Sequence, residues 1–287
     1  MNIFTPAEVA GNACKAGAAK GNASFLNLSL LAILAGVYIG FGANLATVVG
    51  ADGGSKFLFG AVVSVGLMLV VIAGAELFTG NNMFLAISAF NGETSWGKLL
   101  YNWVVVFIFN FVGSVLLVYI IFGGNYWVGP DAQGAMALTA VGTKALAIAK
   151  GKLTLTWSAA FLRAILCNWL VCLAVWMALT AKDTIGKIFA IFFPIMAFVT
   201  SGFEHSVANM FFIPMGITIA NAAPELATAA KFDPTLFTYS NFFMNNLIPV
   251  TLGNIVGGAI CVAGIYYLCY LRPAKAAAAS SKKGAAA

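Results

Sequence analysis

Residues Thr200–Met210 read Thr-Ser-Gly-Phe-Glu-His-Ser-Val-Ala-Asn-Met, in the middle of an apolar run, and hold the only histidine in 287 residues. The flanking stretches Ile188–Val199 and Phe211–Ile219 carry no charge. A run this apolar reads as membrane-spanning, where ionisable groups are costly and face a cavity or a partner. Irregular backbone at that depth persists only where protein buries it or water reaches it. The pattern predicts a helix broken in two, with its polar break at the bilayer midplane.

A second break interrupts the apolar run that starts at Phe57: Gly74-Ala75-Glu76-Leu77-Phe78-Thr79-Gly80-Asn81-Asn82-Met83. Both breaks read Gly-x-Glu and close on Asn-Met. Asn110-Phe111-Val112-Gly113-Ser114 is echoed by Asn254-Ile255-Val256-Gly257-Gly258. The chain reads as duplicated, and paired interrupted segments in corresponding halves point to a transport site at the midplane.

Composition agrees. Hydrophobic residues make up 61% and charged residues 8%, against about 25% charge in soluble domains. The five cysteines (Cys14, Cys167, Cys172, Cys261 and Cys269) are scattered, mostly within apolar runs, and suit neither a disulfide framework nor a zinc site. The net charge of +6 is spread over short loops and both ends, which does not suggest nucleic acid. Thr5-Pro6-Ala7-Glu8 has the pattern of a capping box. It predicts a short amphipathic helix over about Pro6–Lys20 at the membrane surface, within an N-terminal cytoplasmic segment 1–24.

The expected spans are Phe25–Val49, a broken second helix beginning Phe57–Ala75, Leu99–Trp127, Leu153–Thr180, a broken fifth helix ending near Ile219, and Asn245–Leu271. A polar, Gly-rich loop is expected over 129–151. The expectation is thus an all-α integral membrane domain, 25–271, with six transmembrane helices. The tail, 272–287, is expected to be disordered. Three spans per half is an odd number, so the two repeats must be inverted. Lys15, Lys20, Lys98, Lys182, Lys187 and Arg272 would share one side with the termini; the lysine and arginine bias favours that side as cytoplasmic.

Gly74–Gly80, Leu166–Met177, Ser201–Met210 and Asn246–Asn254 resemble the formate/nitrite transporter family, in the right order and over nearly the whole chain except the tail. The resemblance implies an aquaporin-like helical fold, a homopentamer with one pore per protomer in the cytoplasmic (inner) membrane, and small monovalent anions as cargo. Glu76–Gly80 and Asn168–Ala174 look like the nitrite branch; Phe211–Gly216 and Asn246–Val250 look like the formate branch. Formate is the favoured cargo. A nitrite or hydrosulfide channel, or a strict proton–anion symporter, is the alternative.

A bare anion cannot cross a hydrophobic constriction cheaply, because an unpaired charge in low dielectric costs many kcal/mol. Cations and helix N-termini can hold it, or a proton can neutralise it. Lys152 matches a family lysine at the outer mouth, where it would concentrate anions; the bland alternative, a solvated loop lysine, suits Lys144 and Lys150. His205 could donate a proton or a hydrogen bond, or be a satisfied buried residue. Thr79 matches the family's pore-loop threonine and could meet His205 or the anion, or cap backbone. Asn168 and Asn209 could orient the same groups or join helices. Glu76 and Glu204 are expected to hold the broken backbone by accepting from N–H groups. Arg163 is expected to face a neighbouring subunit or a polar ring. Motif carry-over sets Leu67 and Phe198 as the outer constriction and Leu77 and Phe78 as the inner one. Val63 stands where the family pattern has phenylalanine, which suggests a wider outer slit. The partners implied are small anions, protons, membrane lipid and copies of the same chain. No cofactor or metal is expected. One histidine cannot supply His-Glu-x-x-His chemistry, and no Asn-Pro-Ala of a water channel occurs at either break; an enzyme is not expected.

Overall fold

The computed structural model describes residues 3–276. Helix α1 (Pro6–Gly21) starts at Thr5, whose hydroxyl accepts from the Glu8 N–H while its own N–H donates to the Glu8 carboxylate at 2.7 Å. The Thr5 N–H and hydroxyl hold the Glu8 carboxyl below its ordinary range. α1 is not a free surface helix. Val9, Ala10, Ala13, Cys14 and Gly17 are buried, and a Cβ at Gly17 would overlap the Phe84 carbonyl. The small residues on that face let α1 pack into the bundle.

α2 (Phe25–Ala51) follows, capped by the Ser24 hydroxyl. α3 (Lys56–Met68) widens into a π turn, Leu69–Gly74, and stops; the chain is extended at Ala75 and restarts as α4 (Phe78–Asn91). α5 is Trp96–Gly123. The second half runs through α7 (Trp157–Thr180), α8 (Thr184–Thr200), an interruption at 201–205, and α9 (Ser206–Ala222). A short α10 (Pro224–Ala229) leads to the final helix α11 (Tyr239–Ala276), which includes several π turns. Among the described residues, five helical stretches are long and apolar enough to cross a membrane: Phe25–Ala51, Lys56–Gly74, Trp96–Gly123, Trp157–Thr180 and Tyr239–Ala276. α8 and α9 are apolar but shorter. The chain is an integral membrane protein.

Four expectations need correction. The segment 129–151 is not a loop. It holds a two-stranded hairpin, β1 (Val128–Pro130) with β2 (Met136–Leu138), and a helix α6 (Ala140–Leu153) capped by Thr139. Gly142, Ala145, Leu146, Ala149 and Leu153 form its buried face, at the spacing of one helical side. Trp127 lies outside α5, because the chain turns at Gly123–Gly124; its ring stacks on Phe122 with centroids 4.6 Å apart. α7 starts at Trp157, behind a Thr156 cap, rather than at Leu153. The last helix starts earlier and ends later than expected. It takes in Arg272–Ala276, and Lys275 Nζ donates to the Asn91 carbonyl at 3.1 Å. The rest of the expected tail, 277–287, lies outside the described residues.

α5 meets α2, and α11 meets α7, through backbone contact at small residues. A Cβ at Gly113 would overlap the Ile33 carbonyl, and one at Gly257 the Ile165 carbonyl. With no hydrophobic drive between helices in lipid, such close packing is what holds them together.

Candidate functional site

Each break is turned by a glycine in the left-handed region: Gly74 at φ +88 and Gly202 at φ +74. A side chain disfavours that conformation, so glycine is required at both. The opened backbone then lacks helical partners, and one buried asparagine supplies them. At the first break Asn110 Oδ1 accepts from the Phe78 N–H at 2.9 Å, and its Nδ2 donates to the Glu76 and Ala32 carbonyls at 2.9 and 2.7 Å. At the second, Asn254 Oδ1 accepts from the Ser206 N–H at 2.9 Å, and its Nδ2 donates to the Glu204 and Ala164 carbonyls at 3.0 and 2.8 Å.

The carboxylates do something different from the backbone-capping role expected of them. Glu76 accepts from Lys20 Nζ and from Asn81 Nδ2, both at 2.7 Å. Glu204 accepts from Lys152 Nζ at 2.9 Å and from Asn209 Nδ2 at 2.7 Å. Asn81 Nδ2 also meets Asn102 Oδ1 at 2.9 Å, and Asn102 Nδ2 donates to the Lys20 carbonyl at 3.1 Å. Asn209 Nδ2 likewise meets Asn246 Oδ1 at 2.7 Å, and Asn246 Nδ2 donates to the Lys152 carbonyl at 3.1 Å. Each lysine also sits 5.4 Å from a ring, Phe84 or Phe212. The sequence reading took Asn110 and Asn254 only as marks of duplication. It missed the roles of Lys20, Asn81, Asn102 and Asn246. The repeated Glu and Asn positions carried a signal for Asn81, whereas nothing local pointed to Lys20.

Three cavities follow one another along the breaks. One of about 540 Å³ is edged by Lys20, Glu76, Asn81 and Lys187, and Leu67 and Leu77 close it. A second, of about 150 Å³, is edged by Lys152 and Glu204, with Val63, Phe198 and His205 in its wall. Between them lies a chamber of about 20 Å³ that shares Leu67 and Leu77 with the first cavity and Val63, Phe198, His205 and Ala208 with the second. That is room for about one water.

Leu67 therefore belongs to the Lys20-side boundary, paired with Leu77, rather than beside Phe198. Val63 and Phe198 form the Lys152-side boundary. Phe78 lines none of these cavities. It is buried, and its ring packs against Phe107 at 5.1 Å and Trp103 at 6.3 Å. The side chain N-terminal to a helix alternates its direction, so consecutive Leu77 and Phe78 cannot both face the pathway.

His205 is the N-cap of α9. Its Nδ1 accepts from the Ala208 N–H at 3.0 Å, and its Nε2 lies 2.9 Å from Thr79 Oγ1. Accepting at Nδ1 leaves the proton of a neutral ring on Nε2. The ring also stacks on Phe198, with centroids 6.0 Å apart. Asn168 Nδ2 donates to the Thr79 carbonyl at 3.1 Å and the Asn254 carbonyl at 2.6 Å; it joins the two breaks and lines none of the three cavities. Asn209 is likewise turned to Glu204 and Asn246.

Two lysine-edged cavities that meet at an apolar chamber, inside a membrane-spanning bundle, define a membrane transport protein. The sequence matches the formate/nitrite transporter family over residues 7–268, and the chain belongs to that family. It is 49% identical over 285 residues to the probable formate transporter of Methanothermobacter thermautotrophicus, covering 93% of this chain and 97% of that protein. It is 38% identical over 283 residues to the formate channel FocA of Escherichia coli (strain K12), covering 95% and 96%. Among solved structures it is similar to a pentameric formate channel with formate bound. The identity is 41% and the TM-score 0.75, over 86% of this chain and 98% of that one.

Proposed function

We propose that the chain passes small monovalent anions of weak acids across the cytoplasmic membrane, with formate as the favoured cargo. The observation that carries this is the sequence of cavities: ion-paired lysine, apolar chamber, ion-paired lysine, with His205 in the chamber wall and Thr79 at its Nε2, behind that wall. Relatives named as formate channels support the cargo. The fold reading is six spans in an inverted 3+3 arrangement, aquaporin-like, with helices two and five broken and both termini cytoplasmic. The repeated hydrogen bonds around Glu76 and Glu204 support it. A homopentamer is proposed because a similar structure is pentameric.

In this reading Lys152 gathers the anion on the outer side and Lys20 does so on the inner side. Each lysine is already paired with a carboxylate, so it attracts through the field of the cavity rather than as a free charge. The anion takes up a proton and crosses the boundaries Val63/Phe198 and Leu67/Leu77 as the neutral acid. His205 and Thr79 relay that proton at Nε2. To charge fully, the ring must also protonate Nδ1 and give up the Ala208 N–H; the relay therefore needs the α9 cap to loosen.

The test is anion-dependent swelling and current in liposomes that contain only this protein, with formate, nitrite and hydrosulfide compared. Formate flux above protein-free liposomes is the expected result. Flux for nitrite or hydrosulfide alone would reassign the cargo, and none for any of the three would overturn the reading. Formate uptake with one proton per anion and no net current is what crossing as the neutral acid entails and would select symport, whereas a net anion current would show that the charged form also passes.

A further inference from the structure

A separate cavity of about 530 Å³ opens beside the Lys152 cavity and shares Phe59, Ile148, Val199, Gly202 and Phe203 with it. Its charged lining residues are Lys56, Lys144 and Arg163, and it has no carboxylate. Three elements bring them together: Lys56 opens α3, Lys144 lies on α6, and Arg163 lies on α7. The sequence pattern suits Lys144 as a solvated loop lysine and Arg163 as facing a neighbouring subunit or a polar ring. Among the described residues, the ion pairs are Lys20–Glu76 and Lys152–Glu204. The side chains of Lys56, Lys144 and Arg163 make no hydrogen bond, ion pair or ring contact among them. Glu204, the carboxylate of the neighbouring cavity, is already taken by Lys152.

The bland reading is that these cations offset helix C-termini, since α2 and α8 both end here. A helix C-terminus carries about half a negative charge. The carbonyls of Ala197, Phe198 and Val199 already accept from Ser201, Phe203 and Gly202. Two half-charges leave most of three full positive charges unmatched. A monovalent anion the size of formate would neutralise one of them and fill little of the space.

We propose that Lys56, Lys144 and Arg163 form a site for a phosphate-type oxyanion of more than one charge, supplied either by free phosphate or by the headgroup of an anionic lipid. Arg163 offers the planar fork that suits phosphate oxygens, and the two lysines add point charges. Phe59, Ile148, Val199 and Phe203 give the cavity an apolar wall beside the charges, as a headgroup at the membrane surface would meet. An occupant would stand at the entrance to the Lys152 cavity. That consequence for flux rests on the proposed transport function; the binding does not.

The test uses the full chain, purified and stripped of lipid in neutral detergent, and measures binding directly. Inorganic phosphate is titrated in one arm and short-chain phosphatidic acid micelles, whose phosphomonoester carries more than one charge, in the other, with chloride at equal ionic strength as the control. Binding in either arm is expected, and which arm binds identifies the source. Arg163→Gln and Lys144→Gln should each weaken it about tenfold, as loss of a charged hydrogen bond does. Arg163→Lys, which keeps the charge, should recover part of that loss and guards against misfolding of the Gln variants. Failure of both ligands to bind, chloride competing as well as phosphate, or unchanged affinity in both Gln variants would overturn the site. Liposome flux is scored separately, so a failed transport reading leaves the binding result intact.

Discussion

The two breaks are built from the same parts and differ at the pathway. Lys20, Glu76, Asn81, Asn102 and Asn110 stand in the same relations as Lys152, Glu204, Asn209, Asn246 and Asn254. At the position after the glutamate, the first break has Leu77 and the second has His205. Where the first has the Thr79 hydroxyl, the second has Val207. The duplicated part is the part that keeps a broken helix satisfied: backbone satisfied by an amide, charge satisfied by a charge. What differs are the residues in and behind the chamber wall, so the contact between Thr79 of one half and His205 of the other exists only when the halves are joined. A structural frame tolerates duplication, whereas a hydroxyl–imidazole hydrogen bond needs two unlike partners.

The largest effect that could break this equivalence lies in the ion pairs. Glu204 is the more deeply buried carboxylate, with side-chain exposure of 6% against 12% for Glu76. Lys152→Gln leaves Glu204 unpaired and should cost about 3–5 kcal/mol, seen as a fall in thermal midpoint of the purified protein. Lys20→Gln should cost less. Adding Glu204→Gln to Lys152→Gln should restore most of the loss, because the isolated charge is gone. Equal losses for the two lysines would mean that burial does not rank the breaks. Next come the amides. Asn110→Leu and Asn254→Leu each strand a buried N–H and a carbonyl at the break, about 3 kcal/mol by the usual cost of unsatisfied groups. They should match each other within about 1 kcal/mol, and a tolerated Asn110→Leu beside an unfolded Asn254→Leu would sink the equivalence.

The sequence shows the breaks because glycine, glutamate and asparagine have no other reason to interrupt an apolar run. It shows the duplication for the same reason, and the small residues at Gly113 and Gly257. It hides Lys20 as the partner of Glu76, because the two lie 56 positions apart and no local spacing reports a long-range pair. Helix α6 was obscured by Gly142 and Gly151, which read as loop punctuation. Gly142 is there for contact, since a Cβ would overlap the Trp127 carbonyl. The exchange of Leu67 from one boundary to the other was not legible at all: which slit a pathway residue joins depends on how α3 turns against α4 and α8.

A smaller effect concerns the Lys152-side boundary. Val63 is 6% exposed and faces a chamber with room for about one water. Val63→Phe must push side chains apart, which costs about 1–3 kcal/mol, and should narrow that slit. Formate and nitrite flux in liposomes should fall more than hydrosulfide flux. Leu67→Phe narrows the opposite boundary and should show the same order of loss. An equal drop for every anion in Val63→Phe would mean that this boundary does not discriminate by size.

The smallest structural effect is expected where the functional one is sharpest, at His205. His205→Asn keeps a good helix N-cap, since an asparagine side-chain oxygen accepts from the same N–H groups, so stability should change by less than about 1 kcal/mol. Asparagine's amide ends one bond beyond Cγ, where the imidazole Nε2 stands two beyond, so the direct Thr79 contact is given up. What it lacks is a proton to give up and regain. A carboxylate has a reference pKa of about 4, so nearly all formate outside is charged at neutral pH. If the apolar boundaries pass mainly the neutral acid, wild-type uptake rises as external pH falls from about 7.5 to 6, because the neutral fraction of formate grows about tenfold per pH unit. Part of that rise comes from the formic acid already present in solution, and it survives in any variant. The part that depends on His205 is the difference between the two profiles. A flattened profile in His205→Asn with unchanged thermal midpoint assigns the relay to the ring, and a profile parallel to wild type would reduce His205 to the cap and hydrogen-bond partner that it already is in the folded chain.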